Sequence, residues 1–251
     1  MDKEKYLNSI IKKYQPEQQP EKSETFKQVC SLIKSWAGET LQSINLVGAH
    51  SKGTNISTSN DVDLLIILDS KTCFDLKQLY DNLFSFLTIE KYSPFEKEIS
   101  IGIIHSKTSF DLIVSMRSSE NIQFIKIFNR KKNLCINTSI TKHIDLIKAS
   151  GLVQQIILTK IWRDINKLYF PGIYLELSVL DVLRYRKNDS LEKSFLSILD
   201  FLSEDFIDTQ ITDPANSSNV ISDILSDEEK LEIAKTASRT RKLANWEEIV
   251  W

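Results

Sequence analysis

The chain has 251 residues, of which 41% are hydrophobic, and this is enough apolar material for a folded core in one or two domains. Its formal net charge of -2 argues against a protein that binds long nucleic acid, because such proteins usually carry an excess of positive charge. The three cysteines are far apart and form no CxxC pair, so neither a zinc site nor a disulfide framework is expected.

The first residues of the chain are too polar for a signal peptide. The longest apolar runs, such as residues 64–68, are far shorter than the ~20 residues that a membrane-spanning helix needs. We therefore expect a cytoplasmic protein with no membrane partner.

The first part of the chain predicts a helix, a short apolar stretch and then a buried strand. Ser23 is placed to cap a helix whose apolar residues recur at helical spacing until Gly38. A short apolar stretch at residues 44–47 leads into a turn rich in glycine, serine, threonine and asparagine. Residues 62–68 (VDLLIIL) then form the near-continuous apolar run that is typical of a buried strand.

The pattern changes from mixed to helical further along the chain. Residues 74–88 favour a helix, and residues 99–104 and 110–114 favour two strands. From residue 144 onward the apolar spacing is helical, with breaks at Pro171-Gly172 and Asp213-Pro214. The sequence therefore predicts an α/β half and a helical half, with a boundary near residue 140.

Two aspartates at the start of the predicted strand 62–68 carry the main functional signal. Side chains at positions i and i+2 of a strand share one face, so Asp61 and Asp63 should point the same way. Two adjacent carboxylates repel each other unless a cation or a proton lies between them. The preceding turn, GAHSKGT, can present backbone N–H groups to phosphate, and this favours a divalent metal as that cation.

A third acid, Asp111, lies within the predicted strand 110–114 among apolar neighbours. If this strand pairs with residues 62–68, Asp111 joins Asp61 and Asp63 in a three-carboxylate cluster, which is the arrangement that holds two metal ions for phosphoryl displacement. Each acid alone has a simpler explanation, as a turn cap or as a charge at a strand edge. The three acids in this order and on these elements favour the metal site.

The segments GAHSKGT, NDVDLLIIL and FDLIV together resemble the signature of polymerase-β-type nucleotidyltransferases. The helical half is similar to the cGAS/DncV-like nucleotidyltransferases (CD-NTases) of bacterial antiphage signalling systems, in the segments TKHIDLIKAS, ILTKIWRD, FPGIYLEL, DPANSSNVISD and NWEEIVW. The resemblance implies an α+β fold, with a polymerase-β-type nucleotidyltransferase sheet, flanking helices and a helical C-terminal domain. Residues 1–140 would be the catalytic domain with its N-terminal helix, and residues 141–251 the helical nucleotide-binding domain.

The same resemblance implies a nucleotidyltransferase that makes a cyclic oligonucleotide second messenger from nucleoside triphosphates such as ATP, for antiviral defence. Asp61, Asp63 and Asp111 would be the catalytic residues and the ligands of two Mg²⁺ ions, for which Mn²⁺ could substitute. We expect a monomer with nucleoside triphosphates as partners. A linear oligonucleotide synthase, an RNA or small-molecule nucleotidyltransferase and an inactive nucleotide-binding module stay open as alternatives.

The resemblance also implies a phosphate-binding turn, at Gly48, Ala49 and Ser51. The family has a glycine-serine pair where this chain has Gly48-Ala49, so one hydroxyl is missing and Ser51 is a candidate to replace it. A second family hydroxyl is missing at Gly172, in the pair Pro171-Gly172.

Three nucleotide contacts in the helical half follow from the resemblance as well. Lys160 would hold the triphosphate, although it could instead form a surface pair with Asp164. Tyr174 would stack on a nucleobase, or alternatively lie half-buried at a domain contact. Asp213 would lie near the nucleotide, although Asp213-Pro214 could also be a simple helix terminator.

Overall fold

The computed structural model describes residues 2–16, 19–70, 73–118, 124–186 and 189–251. The chain divides into two compact units, and each contains separate stretches of sequence. The helical unit contains Met1–Pro16, Gly53–Ser59 and Asp145–Trp251, and the sheet unit contains Glu17–Lys52 and Asn60–Ile144. The division at residues 144 and 145 lies close to the boundary expected from the sequence, but residues 1–16 and 53–59 group with the helical unit.

The sheet unit is built on a seven-stranded mixed sheet. Its strands are β1 (Leu41–Leu46), β2 (Val62–Leu68), β3 (Phe95–Glu96), β4 (Ile101–His105), β5 (Thr108–Arg117), β6 (Ile125–Asn129) and β7 (Leu134–Thr138). The order is β1-β2-β5-β4-β3, and β6 pairs with both β5 and β7. β2 and β5 are parallel, whereas the other neighbouring strands are antiparallel.

The described ranges contain ten α-helices and three short 3-10 turns. The helices are α1 (Lys3–Lys13), α2 (Glu24–Ala37), α3 (Gly48–Lys52), α4 (Leu76–Ile89), α5 (Ile140–Ser150), α6 (Val153–Ile165), α7 (Gly172–Val182), α8 (Leu191–Glu204), α9 (Asp227–Arg241) and α10 (Trp246–Ile249). The 3-10 turns are Pro20–Lys22, Gly38–Thr40 and Ile221–Ile224.

The helices α2 and α4 cover one face of the sheet because each has an apolar stripe and a fixed start. Ser23 accepts a hydrogen bond from the backbone N–H of Phe26 at 3.1 Å, as the sequence predicts for a helix cap. Asp75 and Gln78 form a reciprocal capping box at the start of α4. Buried side chains of both helices pack with those of β2 and β5 in one apolar core. This packing buries the strands that carry the acidic residues.

The helical unit has its own apolar core, around the fully buried Trp162 of α6. The helix α1 joins this core through Leu7, Ile10 and Ile11, and the Tyr6 hydroxyl donates to the Val250 carbonyl at 2.8 Å. α1 was not predicted, because charged and polar residues separate its few apolar positions. The mixed α+β architecture expected from the sequence is present. The sequence indicated β1 only as an apolar stretch, and β3, β6 and β7 were missed.

Candidate active site

The three predicted carboxylates come together at one end of β2 and β5. The two strands pair in parallel, and their register places Asp63 directly beside Asp111. Asp61 precedes β2 by one residue and lies two residues before Asp63, which places both on the same face. The strand pairing on which the predicted cluster depends is therefore present.

Lys97, just after β3, adds a cation that the sequence analysis did not predict. Its ammonium nitrogen lies 2.8 Å from Oδ1 and 2.9 Å from Oδ2 of Asp111, and 3.4 Å from Oδ2 of Asp61. In the sequence this lysine is one charge in the polar segment FEKE, and no spacing rule connects it with the aspartates. Only the pairing of β4 with β5 brings it to them.

Burial is the main reason why the pKa of two acids in this cluster is raised. Burial, followed by the carboxylates of Asp111 and Asp61, raises the pKa of Asp63 from 3.8 to about 7, although Lys52 and Lys97 act in the opposite direction. Burial also raises the pKa of Asp111, against the opposing effect of its hydrogen bond to Lys97. The cluster therefore has a strong electrostatic demand for positive charge.

Gly48 is required at its position because Asp63 lies against its Cα. A Cβ atom at residue 48 would come within 1.8 Å of Asp63 Oδ2, and Gly48 has a φ of +64°, which disfavours other residues. Gly48 is also the first residue of α3, so the turn expected around residues 48–54 begins with one short helix. The predicted glycine turn is thus adjacent to the acidic cluster.

Ala49 and Ser51 belong to the same short helix. The Ser51 hydroxyl donates to the Leu46 carbonyl at 2.5 Å. Its single proton is therefore used within the protein, and Ser51 does not replace the missing serine of position 49 as a donor to phosphate in this structure. Backbone N–H groups of the turn are the remaining candidates for that role.

The donor set has the chemistry that a magnesium site needs, although the carboxylates are not arranged as one. Carboxylate oxygens are the ligands that Mg²⁺ prefers, and the strand register places the carboxylates of Asp63 and Asp111 side by side. Among those residues, however, no group of three or more His, Cys, Asp or Glu side chains is positioned to hold a metal ion. The side chains of Asp61 and Asp111 both contact the ammonium group of Lys97.

Lys160 lies inside the helical unit and not on its surface. It is buried, and its ammonium group donates to Glu176 Oε1 at 2.7 Å and to the Thr54 hydroxyl at 2.9 Å. The alternative surface pair with Asp164 is also wrong, since Asp164 pairs with Arg163. Lys160 thus connects α6 with α7 and with segment 53–59 inside the helical unit, and these contacts do not support the predicted triphosphate contact.

Tyr174 is completely buried, which contradicts the prediction that it stacks on a base. Its ring packs at 5.4 Å from Phe170 and 5.0 Å from Phe206, measured between ring centroids. Burial, together with the charge of Asp223, raises its pKa to about 12. Its faces are enclosed by other side chains, so we assign Tyr174 to the core of the helical unit.

Asp213 organises a turn of its own chain. Its carboxylate accepts hydrogen bonds from the backbone N–H of Ala215 at 2.7 Å and from the Asn219 amide at 3.1 Å. This is the side-chain-to-backbone pattern by which aspartate stabilises turns. Asp213 therefore stabilises a turn, and it does not terminate a helix as the alternative had it, because α8 ends at Glu204. The nucleotide contact of Asp213 stays a prediction.

No family model matches the chain, and neither does any curated protein. Solved structures, in contrast, match over nearly the full length. CdnC of Escherichia coli MS115-1, in a complex with HORMA-deltaN, is 18% identical with a TM-score of 0.74, over 95% of this chain and 89% of that one. The CD-NTase CdnG of Bradyrhizobium diazoefficiens, solved with GTP, is 12% identical with a TM-score of 0.76, over 94% of this chain and 89% of that one. The chain has the CD-NTase fold.

The chain is also similar to the CdnE cyclic dinucleotide synthase of Elizabethkingia meningoseptica, which was solved with GTP and Apcpp. It is 14% identical, with a TM-score of 0.67, over 96% of this chain and 99% of that one. The fold expected from the sequence motifs is thereby confirmed. In the described ranges of the chain, every helix is too short or too polar to cross a membrane.

Proposed function

We propose that this protein is a metal-dependent nucleotidyltransferase that makes a cyclic oligonucleotide second messenger from nucleoside triphosphates and releases pyrophosphate. The observation that carries the proposal is the parallel register of Asp63 with Asp111, beside Asp61 and the Gly48 turn. The CD-NTase fold supports it, because CdnG was solved with GTP and CdnE with GTP and Apcpp. Antiphage defence in a bacterial cytoplasm is the corresponding biological setting.

The three carboxylates of the cluster would share the work of this reaction. Asp61 and Asp63 would hold both magnesium ions, and Asp111 would complete the site. Bound magnesium supplies charge neutralisation for the triphosphate and activation of the attacking hydroxyl. The ribose hydroxyl oxygen forms a bond to the α-phosphorus of a nucleoside triphosphate. The bond between that phosphorus and the oxygen bridging the α- and β-phosphates breaks, and pyrophosphate leaves. Asp111 would accept the hydroxyl proton.

The short helix beside the cluster is our candidate for holding the phosphates. Gly48 lets the chain pass directly against the Asp63 side chain, so the short helix that begins at Gly48 starts beside the cluster. Backbone N–H groups in such a turn can bind phosphate oxygens without a serine hydroxyl. We therefore propose that Gly48 and Ala49 bind phosphate through the backbone.

Product analysis tests the proposal directly. The protein is incubated with the four nucleoside triphosphates and Mg²⁺ or Mn²⁺, pyrophosphate is quantified, and the products are separated and weighed by mass spectrometry. A cyclic product has no terminal phosphate, so it should resist phosphatase and be cut by a phosphodiesterase. A phosphatase-sensitive ladder of increasing length would replace the cyclase by a linear oligonucleotide synthase. Asp63→Asn is the matched inactive control.

One observation favours a second candidate, a nucleotide-binding module without catalysis. The ammonium group of Lys97 already compensates Asp61 and Asp111 without a metal ion. A module of this kind would bind a nucleoside triphosphate and release no pyrophosphate with either metal ion, and the product analysis separates it from the enzyme.

A further inference from the structure

The cation at the carboxylate cluster is held there by a well-defined hairpin. The Lys97 backbone N–H donates to the Ser100 carbonyl at 3.0 Å, which closes the turn between β3 and β4. The ring of Phe95 lies so close to Gly102 that a Cβ atom on that glycine would come within 2.3 Å of it. The position of Lys97 therefore follows from the packing of β3 and β4 and is not that of a freely moving surface lysine.

The ammonium group bonds to the same oxygens that would bind metal. It donates to Oδ2 of Asp111 and to Oδ2 of Asp61, and the Lys97 side chain is 32% exposed. A divalent ion on Asp61 and Asp111 would meet this positive charge at close range, and the two cations repel each other. Metal binding at these two residues therefore requires the ammonium group to leave.

We propose that Lys97 is an internal counter-cation that competes with the divalent ion for Asp61 and Asp111. Without nucleotide, the protein therefore has low affinity for metal. The ion enters most favourably together with a triphosphate, because phosphate oxygens offer the displaced ammonium group a new anionic partner. This inference rests on the proposed function, since it places the metal on the same carboxylates.

The experiment is a calorimetric titration of the full, nucleotide-free chain with Mn²⁺. Lys97→Met removes the competing charge at similar side-chain length, and Lys97→Gln is a second neutral variant that keeps hydrogen-bonding capacity. Both should bind Mn²⁺ about tenfold to a hundredfold more tightly than the wild type, which corresponds to the loss of a hydrogen bond between charged groups. Lys107→Met is the matched control, because Lys107 is an exposed lysine at the next turn of the same sheet. The Mn²⁺ affinity of this variant should stay within about twofold of the wild type.

Two further measurements make the result specific. Adding Asp61→Asn to Lys97→Met should remove the gain in Mn²⁺ affinity, which places the ion at the cluster. A non-hydrolysable triphosphate should reduce the difference between the wild type and Lys97→Met. An unchanged difference would contradict the transfer of the ammonium group to phosphate.

The inference is overturned if folded Lys97→Met and Lys97→Gln both bind Mn²⁺ with the wild-type affinity. Its failure is distinguishable from that of the proposed function. Pyrophosphate release by a protein whose Mn²⁺ affinity does not depend on Lys97 would refute the inference alone. Tighter Mn²⁺ binding by Lys97→Met, in a chain that releases no pyrophosphate, would refute the proposed function alone.

Discussion

Replacing Asp63 by asparagine should stabilise the metal-free protein while it abolishes the proposed reaction. In the folded chain the pKa of Asp63 is about 7, whereas its ordinary value is 3.8. Ionising the Asp63 carboxyl in the folded chain therefore costs free energy when the pH rises. The contribution of Asp63 to stability therefore falls as the pH increases from about 4 to about 7, because the unfolded chain gives up this proton at lower pH. Above pH 7 the full cost is present, and it amounts to at most about 4 kcal/mol.

The assay is chemical unfolding of the metal-free protein, followed by circular dichroism at pH 5 and at pH 8. Asp63→Asn removes the charge at nearly constant shape, so the free energy of unfolding should rise by about 2–4 kcal/mol at pH 8 and by less than half of that at pH 5. Asp81→Asn, at an exposed position of α4, is the matched control and should change stability by less than about 0.5 kcal/mol.

The same variant should lower pyrophosphate release by several orders of magnitude. Metal binding requires ionised Asp63, so the wild-type affinity for Mg²⁺ should also weaken as the pH falls below about 7. A variant that is no more stable than the wild type at pH 8, or a gain that is equal at both pH values, would refute the electrostatic account of the cluster. Wild-type turnover by a folded Asp63→Asn protein would refute the metal site.

Three other substitutions test the remaining assignments by unfolding measurements. Gly48→Ala should lower the free energy of unfolding by about 2–4 kcal/mol, because it adds backbone strain and a collision with Asp63. Gly172→Ala, where a Cβ atom meets open space, should change it very little. Equal effects of the two substitutions would contradict this account. Lys160→Met should cost about 3–5 kcal/mol by leaving Glu176 buried without its cation, and adding Glu176→Gln should restore most of it. Tyr174→Phe should raise the free energy of unfolding by up to about 1 kcal/mol, because the tyrosine hydroxyl is buried without a hydrogen-bond partner among the described residues. A clear loss of stability would contradict this.

The acidic cluster was predictable because each step in its derivation depends on a strict backbone rule. Strand alternation fixes Asp61 and Asp63 on one face, and the apolar run of residues 62–68 identifies the strand without ambiguity. One assumption, the pairing of this strand with residues 110–114, then fixes Asp111. Lys97 could not be found in this way, because its place depends on how a two-residue strand pairs at the far side of the sheet.

The helical half shows why periodicity predicts helices better than it predicts their exposed residues. In α6, residues 155–163 are all buried, so the apolar stripe of this helix does not separate a buried face from an exposed one. A lysine beside the stripe is therefore as buried as the apolar residues of the stripe. In α7, six consecutive residues from Tyr174 onward are buried for the same reason. A helix surrounded on all sides must bury polar groups with partners, and Glu176 is the partner that makes a buried Lys160 tolerable. The acid two residues after Tyr174 is therefore the sequence feature that could have indicated an ion pair at Lys160 and a core position for the tyrosine.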